Sequence, residues 1–239
     1  MLNDLTRREK EIQLALGIDK IQMAIEYYHA ELKAAPEVKA YLKSRGVSKE
    51  SVIKHQLGYA PSQPKIGKRF HDRLIFPIHS SFGHPVGWTG RTLINAPAKY
   101  INVKESAKFQ KGRLLYLYHL AKPAIIKTGT AILVEGQMDA LILHQYGLLS
   151  TVASSGVAFK PAAARTLARY AQKVYIVFDA DDAGKKAQLK AQKYLDEVYL
   201  DNKIHVVAVN LPDGEDPASF MLKYGKNAFL ELLRSSNAQ

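Results

Sequence analysis

The sequence predicts a mixed α/β protein: a helical lead-in, a basic part built on a small antiparallel sheet, and then a parallel, doubly wound α/β sheet. Three observations carry that prediction. From Ala131 onward, short apolar runs alternate with helical repeats, the pattern of a parallel sheet with crossover helices. Between Arg73 and Asn102, short β-rich runs are separated by Gly, Ser and Pro, the pattern of antiparallel hairpins. Before both, Leu2 to Tyr28 spaces Ile12, Ala15, Leu16, Ile21, Ala24, Ile25 and Tyr28 at helical intervals.

The elements follow in order. Gly17 is expected to split the lead-in into two packing helices. Pro36 opens a short helix that Gly46 ends. Ser48 reads as an N-cap, with a short helix from Ser51 to Leu57 and a stop at Gly58-Tyr59-Ala60-Pro61. Ser62 to Gly67 is a loop. Arg73 to Ile78 is a strand whose Pro77 marks it as edge or bulged. Pro85 to Leu93 and Lys99 to Asn102 complete the small sheet. In the last part, Ala131–Val134, Leu148–Val152, Val174–Phe178 and Ile204–Val209 read as buried strands. Helices are expected over Met138–Gln145, Pro161–Tyr170, Lys185 to about Val198, Ala218–Tyr224 and Asn227–Leu233.

Charge divides the same way. Residues 41–124 hold fifteen Lys/Arg against three Asp/Glu, which equals the +12 of the whole chain. Such a block points to a phosphate-bearing partner. Arg73, Arg91, Lys99, Lys104, Lys108, Lys111 and Arg113 decorate the small sheet, interleaved with Trp88, Tyr100 and Phe109. Aromatics beside basic groups can stack the bases of single strands, although each one is first a core candidate. The chain has no cysteine, which excludes disulfides, thiolate zinc sites and a thiol nucleophile. No apolar run approaches the roughly 18 residues of a membrane span, so a soluble cytoplasmic protein is expected.

Acids stand where the last strands end. Glu135 and Asp139, Asp179 and Asp181, and Asp213-Glu215-Asp216 each follow an apolar strand. In a parallel sheet those ends share the edge where ligands bind. Two carboxylates about 4 Å apart repel by roughly 1 kcal/mol in water and roughly 4 kcal/mol when partly buried. Gathering several calls for a cation, and hard oxygen donors select Mg²⁺ or Mn²⁺. A basic part for phosphates beside an acidic part for metals points to phosphoryl transfer on nucleotides or nucleic acid. Nothing reads as a dinucleotide fingerprint, a Walker loop or a GxSxG elbow, and the eight His residues show no metal spacing.

VEGQMDA, FDADDAGKKA and LPDGEDP, in that order after apolar strands, resemble the TOPRIM domain of bacterial DnaG-type primases. YLKSRGVSKESVIKHQLGYAP, RLIFPI, GHPVGWTGR, AKYIN and FQKGRLLY resemble landmarks of that family's basic N-terminal subdomain, so the likeness runs from about Tyr41 to Gly225. It implies a lead-in over 1–40, a basic subdomain over 41–125 and a TOPRIM domain over 126–239 with a truncated helical tail. It implies a DNA-dependent RNA polymerase that makes short primers on single-stranded DNA from ribonucleoside triphosphates. By motif match, Glu135, Asp179 and Asp181 are the implied catalytic metal ligands, with Asp139 and Asp216 lining the same Mg²⁺ site. Arg73, Arg91, Lys99, Asn102, Lys111 and Arg113 fall to nucleotide or template.

The sequence departs from the family pattern at Ala218, where a second acid is usual after the proline. With no cysteine there is no zinc site, so a zinc-binding domain and the replicative helicase are implied as partners supplied elsewhere. Two alternatives remain open at this stage. A TOPRIM nuclease explains the acids but not the basic landmarks. A non-catalytic single-strand-binding module explains the basic part and would need no metal.

Overall fold

In the computed structural model, residues 7–104, 112–154, 159–198 and 205–238 are described. Eight α-helices and eight strands are found among them. Four antiparallel strands in the order β1-β2-β3-β4 form one sheet: Gly58–Ala60, Arg73–His79, Pro85–Thr92 and Tyr100–Asn102. Four parallel strands in the order β6-β5-β7-β8 form the other. These are Thr151–Ala153, Thr130–Val134, Lys173–Val177 and His205–Val209. The mixed α/β fold with one antiparallel and one parallel sheet is the one predicted.

Several boundaries differ, each for a physical reason. The lead-in is one helix, α1 (Arg7–Ala34), and Gly17 lies within it. A single glycine costs a helix only about 1 kcal/mol, which tertiary packing overrides. α2 is Pro36–Ser44, and Gly46 at φ +74° turns the chain after it. Ser48 caps α3 (Lys49–Lys54), accepting a bond from the Ser51 N–H, so this helix starts earlier than expected. Gly58–Ala60 is a strand rather than a stop. β2 is internal, with β1 and β3 on its two sides, so Pro77 does not mark an edge strand. β1 reaches only to Ile75, leaving one side of β2 uncovered at Pro77, and a bulge follows between Ile78 and His79. α4 (Tyr118–Thr128) has no counterpart in the sequence reading, because Pro123 lies inside it. α5 (Gln137–Gln145), α6 (Pro161–Ala168) and α7 (Asp182–Val198) agree with expectation to within three residues. α8 (Pro217–Ser235) is broken at Gly225, which has φ +81° and ψ 173°.

The two sheets share a core. Leu74, Phe76 and Ile78 of β2 belong to the same buried cluster as Ile132, Val134, Val177 and Val209 of the parallel sheet. Met138, Leu141 and Ile142 of α5 and Met221 and Phe229 of α8 complete it. Polar ties reinforce the joint. The Gln145 amide accepts from the Ser48 N–H and the Ser51 hydroxyl, and donates to the Gly46 carbonyl. Tyr116 and Ala153 form an isolated antiparallel bridge. Four histidines also gather there from α3, β2, α4 and α5. The His55 and His144 rings are 6.0 Å apart, and those of His79 and His119 4.5 Å. Burial pushes His55 down to about 3, and His119 and His144 to about 4, so all three are neutral near pH 7. Among the described residues, no helix is long and apolar enough to cross a membrane.

Candidate active site

The site is built on β5 and β7, the two central strands of the parallel sheet. They are neighbours in register, with Leu133 opposite Ile176. Glu135 directly follows β5, and Asp179 lies two residues beyond the end of β7. Parallel strands present their ends on one edge, so the two acids meet. Burial first, and then the charge of Asp179, push the Glu135 carboxyl up to about 7, although the Asp179 backbone N–H favours its charged form. Asp179 is pushed up to about 6, by burial first and then by Asp216 and Asp181. Glu135 Oε1 and Asp179 Oδ1 are both buried without a hydrogen-bond partner. Unsatisfied buried oxygens are costly, and a buried charge more so.

Asp181 is exposed, and its Oδ1 accepts from the Gly184 N–H at 2.7 Å. Gly184 cannot be replaced freely, because a Cβ there would collide with the Asp179 carbonyl oxygen. The FDADDAG stretch therefore folds back on itself at the start of α7. Asp139 differs from the others. It is only 7% exposed, and its carboxylate accepts from the Gly136 N–H at 3.1 Å and the Ala218 N–H at 3.3 Å. It ties the starts of α5 and α8 together. Burial, and then Asp216 and Asp179, hold its carboxyl well above the usual range. Asp216 caps α8, accepting from the Ser219 N–H at 2.6 Å. Ala218 is buried at 4% exposure.

Two acids of the third cluster do not join. The Asp213 side chain is 99% exposed, with Lys185 4.0 Å away. Glu215 is engaged by the Lys223 ammonium at 2.8 Å and by the Ser219 hydroxyl. The gathered set is Glu135, Asp139, Asp179, Asp181 and Asp216.

The basic residues separate in the same way. Lys99 is exposed, and its charge acts on Asp179, opposing the rise of that carboxyl. Arg91 lies over the Tyr41 ring, 5.3 Å from its centroid, and its charge reaches Tyr100. Tyr100 is also influenced by Asp139, so the β4 side of the basic sheet faces the acidic edge. Asn102 accepts from the Thr89 hydroxyl, which fixes its amide. Arg73 is turned inward: it is 7% exposed, and Nη1 donates to the carbonyls of Gly90, Ala98 and Lys99. Its guanidinium braces β3 and the loop before β4, and is not presented to a ligand. Arg113 is exposed beside a separate cavity of about 230 Å³ lined by Ser80, Ser81 and Phe82, and is not grouped with Lys99 by any contact. Lys111, Lys108 and Phe109 lie outside the described residues. Trp88 is a core residue, packed on Tyr28 and Phe70. Gln137, which the sequence reading passed over, is fully buried between Glu135 and Asp139 with neither amide atom bonded.

Comparison with known proteins places the chain in a family. Residues 132–221 match the family described as Toprim-like, and residues 62–122 match the N-terminal domain of the DNA primase catalytic core. A DNA primase domain from Pseudomonas aeruginosa superposes with a TM-score of 0.83 at 30% identity, covering 91% of this chain and 78% of that one. The chain belongs to the bacterial DnaG-type primase family. The DNA primase of Clostridium acetobutylicum is 34% identical over 89% of this chain and 40% of its own length. A DnaG primase catalytic domain bound to single-stranded DNA has a TM-score of 0.82 at 28% identity, with 94% of this chain and 82% of that one covered. The chain spans 40% and 51% of the length of the DnaG relatives from Clostridium acetobutylicum and Aquifex aeolicus.

Proposed function

We propose that this chain is a DNA-dependent RNA polymerase core that joins ribonucleoside triphosphates into short primers on single-stranded DNA. The observation that carries the reading is the pair of buried, unbonded oxygens Glu135 Oε1 and Asp179 Oδ1 at the edge of a parallel sheet whose core is continuous with the basic sheet. Nucleotidyl transfer needs cation-holding oxygens and phosphate-holding cations within reach of one substrate. Membership of the DnaG family and the single-stranded DNA held by a related catalytic domain support the choice of substrate.

Mg²⁺, or Mn²⁺, fits the donor set. Glu135 Oε1 and Asp179 Oδ1 are unpaired hard oxygens. Among the described residues, no three acid or histidine side chains are grouped to enclose an ion. Magnesium is usually held by one or two carboxylates together with substrate phosphates and water, and Glu135 and Asp179 offer two such carboxylates. When bound, such an ion neutralises phosphate charge and lowers the pKa of the attacking hydroxyl.

The chain's own residues do the rest. Glu135 and Asp179 supply the rigid oxygens, and the exposed Asp181 adds its charge from the start of α7. Asp139 and Asp216 fix the α5 and α8 starts. Lys99 and Arg91 hold triphosphate or template phosphates, and the Asn102 amide sits beside them. Domain boundaries near residues 40 and 125, and partners carrying zinc-binding and helicase functions, belong to the same reading.

The test is primer synthesis on single-stranded DNA with labelled ribonucleotides, in Mg²⁺ and then Mn²⁺. Short RNA from the parent, and none from an Asp179→Ala plus Asp181→Ala variant, is the expected result. Cleavage of the template without RNA would assign the acids to a nuclease instead.

A further inference from the structure

We propose that the groove between α1, α2 and α3 receives an acidic amphipathic helix of a partner protein. The groove is a cavity of about 630 Å³ on the helical side of the basic part, and no proposed catalytic residue lines it. Its floor is aliphatic: Leu32, Leu42, Val47, Val52 and Ile53. Ile53 is 54% exposed although it borders this floor. Lys33, Lys39, Lys43 and Lys49 stand around it, all exposed.

Two properties of the lysines point outward. Among the described residues, none of the four pairs with a carboxylate within 4.0 Å. Lys33 and Lys43 lie in the last turns of α1 and α2, where a cation suits the helix dipole. Lys49 is the first residue of α3, the end at which a cation is disfavoured, so helix electrostatics do not account for it. Glu50, the next residue, feels the charge of Lys49 but forms no ion pair with it within 4.0 Å, so the ammonium stays open to a partner. The result is an apolar trough under a positive rim.

The chemistry of the trough selects the occupant. Nucleic acid would match the lysines but has no aliphatic face for Leu42, Val47 and Val52, and the one aromatic ring lining the groove, His29, is tied to the Leu57 carbonyl. An extended peptide would lay unpaired N–H groups on an apolar floor, and the walls are helices that offer no strand edge. A helix satisfies its own backbone and presents apolar side chains at i, i+3, i+4 and i+7. Glu or Asp on its flanks then faces the four lysines. The groove is also firmly mounted, since the α2–α3 turn is bonded to Gln145 of α5.

The experiment is fluorescence anisotropy with a labelled helical peptide carrying Leu at i, i+3, i+4 and i+7 and Glu on both flanks. The same peptide with Lys for Glu is the control. Binding by the Glu peptide should weaken several-fold between 50 and 300 mM salt. It should weaken at least tenfold in Ile53→Glu and in Lys33→Glu plus Lys49→Glu, with circular dichroism and primer synthesis unchanged. Equal binding of the Lys peptide, no binding at low salt, or binding indifferent to both variants would overturn the proposal. Competition by a single-stranded oligonucleotide would overturn it too and reassign the lysines to phosphate. Because these variants leave the acidic edge intact, failure here is separable from failure of the primase reading.

Discussion

Asp179→Asn should stabilise the metal-free protein while abolishing its response to Mg²⁺. The Asp179 carboxyl stands at about 6 against an ordinary 3.8, owing to burial and to Asp216 and Asp181. A raised carboxyl pKa means that stability is full below the unfolded value and is lost as pH rises through the folded one. Two units correspond to about 3 kcal/mol, and partial exposure screens this to about 1–1.5 kcal/mol. The amide is nearly isosteric and uncharged, so the cost disappears. In EDTA at pH 8, urea unfolding should place the variant about 1–1.5 kcal/mol above the parent, and at pH 4 the two should coincide. With Mg²⁺ at ten times its dissociation constant the parent gains about 1.4 kcal/mol and the variant little, so the order closes or reverses. A variant that is less stable in EDTA at pH 8 would refute the reasoning. It would mean that Asp179 is held by favourable local bonds and that the edge has no unmet charge to offer a cation.

Four further outcomes are expected. Gly184→Ala drives a Cβ into the Asp179 carbonyl oxygen, so isothermal titration should show Mg²⁺ binding weakened at least tenfold, with a stability loss of about 2 kcal/mol. Arg73→Met leaves three carbonyls without their donor and should cost about 2–3 kcal/mol in urea unfolding, the mark of a brace rather than a ligand. Gln137→Met removes two buried, unbonded amide atoms and should raise stability by about 1–2 kcal/mol. His55 lies at about 3 when folded and near 6.5 when unfolded, so its contribution is present above pH 6.5 and is lost as pH falls toward its folded value. His55→Phe should therefore lose about 2 kcal/mol less than the parent between pH 7 and pH 4.5, read by urea midpoints.

The parallel sheet was legible in the sequence because its strands are short and mostly apolar and the two central ones run into an acid, as at Val134-Glu135 and Phe178-Asp179. α4 was not, because Pro123 masks a helix that the core cluster around Ile125 holds in place. Charge alone could not separate Lys99 from Arg73. Arg73 opens β2 and Lys99 directly precedes β4, and only tertiary packing turns one outward and the other onto backbone carbonyls. The same limit applied to Asp213 and Asp216, three residues apart, of which one is solvated and the other caps a helix. The histidine cluster had no linear signal, since residues 55, 79, 119 and 144 come from four separate elements.

The core that runs unbroken from β2 into the parallel sheet has a consequence for motion. Domains that open and shut meet across a wet, polar seam that can be parted cheaply. Here the seam is Phe76, Ile78, Ile132 and Val134 in one dry cluster, with the Gln145 amide bonded across it. Parting it would expose that surface to water, so the small sheet and the acidic edge keep a fixed spacing. On the proposed primase reading, advance by one nucleotide is then made by the nucleic acid slipping along a rigid track. Step size is set by the polymer, and the protein acts as an anvil rather than a jaw.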